Sequence, residues 1–226
     1  MFKLSKKGFE YKNIISFGNM FLIGNGHLGY RGTLEEYKKD EMVGLNVLGF
    51  YDRYQNKWRE SLNIPNPFFA EIFIDNKSYS IINNSNCEHE ISLDIKHSVF
   101  KRKTSFDCLS IKSERFISST EDNLLCFKYQ VTMNENKKVS INLGTDIEIY
   151  EINGPHFPLK EITNDNNVII LKGKTNENKY LYEINQYKFP KDITINNFEN
   201  GIYNVTFDGT KNKTYTFYCF CKVFEK

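Results

Sequence analysis

Residues 151–157, Glu151-Ile152-Asn153-Gly154-Pro155-His156-Phe157, place a carboxylate, an amide, an imidazole and an aromatic ring within seven positions. Such groups suit sugar hydroxyls, which both donate and accept hydrogen bonds. Gly154-Pro155 reads as the end of a strand carrying Ile147 and Ile149, because proline cannot donate to a ladder. The competing reading is a capped turn in which His156 bonds backbone. Asp146, Glu148 and Glu151 add a short run of carboxylates. Glycoside cleavage uses two carboxyl groups flanking a bond, or one acid with phosphate. Asp146 and Glu148 fall on one face of the expected strand and Glu151 falls near the loop, so all three are candidates for sugar hydroxyls. Alternation that simply turns them to solvent is the competing account.

Other chemistries have weaker patterns. Gly24-Asn25-Gly26-His27-Leu28-Gly29 fits the dinucleotide pattern GxGxxG, which needs a strand before it, a helix opening at its third glycine and a βαβ unit around it. Gly32 is a poor first turn for a helix, and no strand–helix alternation follows. Asn25-Gly26 between apolar flanks reads better as a tight hairpin with a type I′ turn. Cys219 and Cys221 share a strand face, but no second pair sits at zinc-like spacing, so small buried hydrophobes are the expected role. His27, His89, His97 and His156 form no metal-ligating pattern. His89 and His97 with Glu90 would be the acid–base set of an epimerase reading. No G-x-S-x-G or P-loop is present, and no catalytic residue, metal or cofactor is assigned.

The elements that must position these groups read as strands. Leu125, Phe127, Tyr129, Val131 and Met133 alternate with polar residues, as do Val139, Ile141 and Leu143. Tyr203, Val205 and Phe207, then Tyr215, Phe217, Cys219, Cys221 and Val223, repeat the pattern. A period of two puts one face on a core and the other in water. Residues 43–51, 70–74, 78–82 and 91–95 also read as strands, with Asp75-Asn76-Lys77 as a turn. Thr33 to Asp40 reads as one helical turn, with Thr33 capping and Glu36 at its third position. No 12-residue amphipathic helix occurs. Strand signals every 8–14 residues predict an all-β sandwich of two antiparallel sheets. The 226 residues suit one such domain, 1–226. Thirty basic against 28 acidic residues argue against nucleic acid as partner. No apolar run is long enough for a membrane helix. An odd set of five cysteines without framework spacing predicts a reduced, cytoplasmic protein.

Several short stretches carry a resemblance. Leu22 to Gly32 resembles the opening "LGNGYLGVRG" of glycoside hydrolase family 65. Gly49-Phe50-Tyr51-Asp52, Leu62-Asn63-Ile64-Pro65-Asn66, Leu93-Asp94 with Arg102, Arg115-Phe116-Ile117-Ser118 and Ile152-Asn153-Gly154-Pro155-His156 follow in that family's order. The resemblance covers the family's N-terminal domain only. It implies a large antiparallel β-super-sandwich of the galactose mutarotase type. It also implies a missing α/α barrel that holds the catalytic glutamate. The whole enzyme would then be a disaccharide phosphorylase using inorganic phosphate as co-substrate, and a homodimer. This domain would support the barrel, and Asn153, His156 and Glu151 would be rim candidates at the substrate. The alternatives are a family 65 hydrolase or a stand-alone carbohydrate-binding module.

Overall fold

A computed structural model describes residues 2–84 and 86–226. In chain order the strands are β1 (Lys3–Lys7), β2 (Ile23–Gly24), β3 (Leu28–Tyr30), β4 (Leu45–Asp52), β5 (Glu60–Ile64) and β6 (Asn66–Ile74). There follow β7 (Lys77–Ser78), β8 (Glu88–Asp94), β9 (Val99–Ser105), β10 (Leu109–Ile117), β11 (Leu124–Met133) and β12 (Lys137–Asp146). The last are β13 (Leu159–Asp165), β14 (Val168–Lys174), β15 (Tyr180–Lys188), β16 (Thr194–Glu199), β17 (Ile202–Gly209) and β18 (Thr214–Glu225). Among the described residues helix is limited to α1 (Ile14–Met20), which precedes β2, and two short 3-10 segments, Tyr11–Asn13 and Lys39–Glu41. Strands take 56% of the structure and helices 6%, so the all-β expectation holds.

Every strand pair is antiparallel. One layer is a nine-stranded sheet, β1-β8-β9-β10-β11-β18-β15-β14-β13. The opposite layer is split into a five-stranded sheet, β16-β17-β12-β6-β7, and a four-stranded sheet, β2-β3-β4-β5. Two sheets were expected, and the second is divided where Pro65, which has no N–H, separates β5 from β6. Inward side chains from all three sheets form one core. Phe68 of β6 stacks on Phe127 of β11 at 4.8 Å, and Phe207 of β17 packs on Tyr215 of β18 at 4.1 Å. Cys219 and Cys221 are buried in that core, and all five cysteines are free thiols.

Local chemistry departs from expectation in three places. The β2–β3 connection is a three-residue loop: Asn25 Oδ1 accepts from the N–H groups of His27 and Leu28, and only Gly26 has a positive φ, +92°. That is an Asx-type turn, in place of the type I′ turn. Residues 33–38 form no capped helical turn. Glu35 and Glu36 instead point inward, because Arg102 of β9 is buried beneath them. Arg102 donates to Glu35 at 2.8 Å and in a fork to both oxygens of Glu36, and its Nε donates to Thr104 at 2.8 Å. The strand expected at Ile147 and Ile149 also stops early. β12 ends at Asp146, where its register with β6 shifts after Gly144.

A second buried carboxylate is unpaired by charge. Glu183 of β15 is in phase with buried Leu181 and Tyr187, and it lies fully inside. Its Oε1 accepts a 2.5 Å bond from Asn185, and its Oε2 has no partner among the described residues. Burial pushes its carboxyl up to about 8, and the Asn185 bond offsets only part of that. Between an unfolded-state value near 4.5 and about 8, the folded chain holds a proton that the unfolded chain has released. Stability is therefore highest below that window, falls on the order of a few kcal/mol as pH rises through it, and levels off above. Glu183→Gln is expected to abolish this fall; urea titrations at pH 5 and pH 9 on both proteins measure it.

Candidate functional site

The sequence-singled loop is held at one end of the sandwich by segments distant in the chain. His156 is buried, with 1% of its surface exposed. Its Nδ1 lies 3.0 Å from Asp52 Oδ2 at the end of β4, and its Nε2 lies 2.8 Å from Glu60 Oε1 at the start of β5. Asp52 and Glu60 are cross-strand partners, so the imidazole bridges the β4–β5 hairpin at its loop end.

Both carboxylates do further work on neighbouring backbone. Glu60 accepts from the N–H groups of Ile152 and Asn153 and from Asn153 Nδ2, each at 3.1 Å. Asp52 accepts from Asn176 Nδ2 at 2.8 Å and from the Glu177 N–H at 2.8 Å, in the loop between β14 and β15. Burial alone would raise Asp52, but the bonds from Asn176, His156 and Glu177 outweigh it and hold its carboxyl below the ordinary value. Glu151 accepts a 2.7 Å bond from the His156 N–H, which closes the loop on itself. Asn176 Nδ2 also reaches the Pro155 carbonyl at 3.0 Å. Outside this buried clamp, Arg59 pairs with Glu177 at 2.6 Å, and Trp58, Tyr51 and Ile152 stand exposed.

Asn153, His156 and Glu151 are thus brought together, in unequal exposure. The imidazole and the Phe157 ring, which packs on Phe50, are buried, while Asn153 and Glu151 are half-buried. His156 bonds carboxylates, where the sequence suggested either sugar or backbone. Asp146 and Glu148 do not join the cluster. Glu148 lies beyond β12, its N–H bonded to Asp146 Oδ1 and its carboxylate paired with Lys39 at 2.9 Å. His89 is buried against Thr104, and His97 is exposed against Asp94, so they share no site with Glu90. Among the described residues no cluster of side chains could hold a metal ion, and no helix is long and apolar enough to cross a membrane.

Sequence reasoning missed Glu60 and Asn176. Glu60 carried a readable signal, since it is in phase with buried Leu62 and Ile64. A carboxylate at an inward strand position requires a partner. Asn176 lies in a loop, where no period exists to mark it.

With this geometry established, similarity to known proteins narrows the reading. The family model "Glycosyl hydrolase family 65, N-terminal domain" matches residues 4–224. A nigerose phosphorylase of Lachnoclostridium phytofermentans is 36% identical over 188 residues, 80% of this chain and 24% of its own length. A 1,2-alpha-glucosylglycerol phosphorylase of Bacillus selenitireducens is 30% identical over 157 residues, 67% of this chain and 20% of its own. A solved structure, "Putative kojibiose phosphorylase from human microbiome", superposes with a TM-score of 0.83 over all of this chain and 32% of that one. At 14% identity that likeness bears on the fold alone. The chain spans a quarter or less of the length of these two sequence relatives.

Removing the bridging ring leaves two buried carboxylates face to face. His156→Ala is therefore expected to destabilise the chain by about 3–5 kcal/mol, and Asn153→Ala by about 1 kcal/mol. Chemical denaturation of both variants checks the difference.

Proposed function

This chain belongs to the N-terminal domains of glycosyl hydrolase family 65, and from that premise we propose that it is the non-catalytic sandwich of a disaccharide phosphorylase. The observation that carries this reading is the match along 4–224 to a domain occupying about a quarter of proteins named as phosphorylases. The substrate is an α-glucosidic disaccharide. Inorganic phosphate attacks the anomeric carbon with inversion, taking the place of the base-activated water of an inverting hydrolase. A glutamic acid of a separate α/α barrel protonates the leaving oxygen. Neither the acid nor the phosphate site lies in these residues, and the reading calls for no cofactor.

The sandwich then acts as support. It carries the barrel, takes part in a homodimer and presents residues 151–157 at the rim of the active site. The charged clamp suits that task, since a rim loop with its backbone N–H groups bonded to buried carboxylates keeps one conformation as substrate arrives. Asn153 and Glu151 are the polar side chains of this loop exposed enough to meet substrate, and His156 serves as their anchor. Five free cysteines accord with a reduced, cytoplasmic setting.

Incubating the protein with phosphate and nigerose, kojibiose, maltose or trehalose tests the reading. Full-length protein is expected to release glucose 1-phosphate, and residues 1–226 alone to release none. Glucose in place of its phosphate would identify a hydrolase. In the full-length enzyme Asn153→Ala is expected to lower turnover about tenfold, or ~1.4 kcal/mol in transition-state stabilisation. Wild-type kinetics for that variant would make the loop purely structural.

A further inference from the structure

The outer face of the four-stranded sheet is only partly covered by the described residues, with Tyr150 against it at Asn63. Register aligns Gly24, Gly29, Asn46 and Asn63 in one row across β2, β3, β4 and β5. These four alternate with buried Ile23, Leu28, Tyr30, Leu45, Val47, Leu62 and Ile64, so the row faces outward. The two amides bond within the face: Asn46 Nδ2 donates to the Leu62 carbonyl at 2.8 Å, and Asn63 Nδ2 donates to the Tyr150 carbonyl at 2.7 Å. Leu22 lies 4.0 Å from a side chain built on Gly24, and Leu48 and Tyr51 of β4 and Ile152, two residues past Tyr150, are also exposed. Leu48 and Ile152, 69% and 63% exposed, are the most exposed large apolar side chains after Phe2. Gly49, at φ +80°, lies in the irregular part of β4 next to Leu48.

Gly29 is the informative residue. It sits in the middle strand of a paired ladder, where glycine is a poor choice. A side chain built on it would meet no atom within 4 Å, and its φ is not positive. Nothing inside this chain therefore requires glycine there. A backbone-level approach from outside would require it.

We propose that this face is the seat of the polypeptide that follows β18 in proteins of the relatives' length, packed closely enough over Gly29 to exclude a side chain. The proposal rests on the phosphorylase reading for the existence of that polypeptide. Two observations select the occupant. The matched proteins are three to five times longer than the region they share with this chain. The end of β18 also lies beside this face: Glu225 is 3.8 Å from His27 in the β2–β3 loop, and Lys226 pairs with Tyr180. In a protein of the relatives' length, a segment continuing from β18 would start at the β2–β3 loop, which adjoins Gly24 and Gly29. The exposed leucines, tyrosine and isoleucine, together with amides whose hydrogen bonds are already made, give the apolar surface with satisfied polar groups that a permanent interface uses.

Hydrogen exchange on the full-length protein tests this. In wild type, residues 22–30 and 45–52 are expected to be protected, and dilution is expected to leave that protection unchanged. Gly29→Val is expected to speed exchange there at least tenfold, while β11 and β18 keep their protection and so report an intact sandwich. Gly29→Ala is expected to give a smaller change in the same direction. Ile184→Lys, on the outer face of the nine-stranded sheet, is expected to leave residues 22–30 and 45–52 unaffected. Wild-type exchange in Gly29→Val would overturn the proposal, as would protection that is lost on dilution, which would assign the face to a second copy. A parallel phosphorolysis assay on wild type separates the two readings. Activity with no effect of Gly29→Val sinks only the docking face, whereas tenfold deprotection in a protein without phosphorolysis sinks only the activity.

Discussion

The buried guanidinium of Arg102 is the constraint on which one side of this sandwich depends. It lies inside the nine-stranded sheet's inner face and is ligated by Glu35, Glu36 and Thr104. Ion pairs this deep gain only when nearly every polar atom is bonded, because each charge has lost its water. Burial works against the charged guanidinium, and the attraction of Glu36 and Glu35 overrides it and holds the group firmly protonated. Ser113 donates to Glu35 at 2.6 Å, and the Ile81 N–H donates to Glu36 at 3.1 Å. A segment with no ladder of its own, residues 33–38, is fastened to the sheet in this way. Lysine could not replace Arg102, since one ammonium cannot present the planar fork that serves both carboxylates.

Arg115 extends the arrangement. Its guanidinium lies between the rings of Tyr30 and Phe100, 4.4 and 4.2 Å from their centres, and donates to the carbonyls of Thr33 and Arg31. It thereby couples β3, the glycine-rich chain that follows it and the nine-stranded sheet. Gly32 is held so close to Phe21 that a side chain there would overlap its backbone. At the loop end the same device recurs with His156 between Asp52 and Glu60. In both places the backbone groups of irregular segments are satisfied by buried carboxylates. For a domain read as a support, the consequence is mechanical: the loops that meet other chain are fixed before they meet it.

Much of this was readable one strand at a time. Period two marks an inward and an outward face, and the charged residues that break the inward face are the ones that matter. Glu60 follows Leu62 and Ile64, Arg102 and Thr104 follow Phe100, Ser113 and Arg115 follow Ile111 and Ile117, and Glu183 and Asn185 follow Leu181 and Tyr187. Each is buried. A polar group at an apolar phase announces that a partner exists, because burying it alone costs several kcal/mol. The carboxylate partners of His156 were not legible, because a loop has no phase from which to infer burial.

The sequence by itself determined the fold class and the inward and outward face of each long strand. These depend on the pleat and on local backbone chemistry, which act over a few residues. Only the tertiary structure decided the pairings. Arg102 meets Glu35 across 67 positions, and His156 meets Asp52 across 104 and Glu60 across 96. Coulomb attraction does not record sequence separation. Which carboxylate answers which cation follows from how the layers register, and in an all-antiparallel sandwich that register is set by strands remote from both.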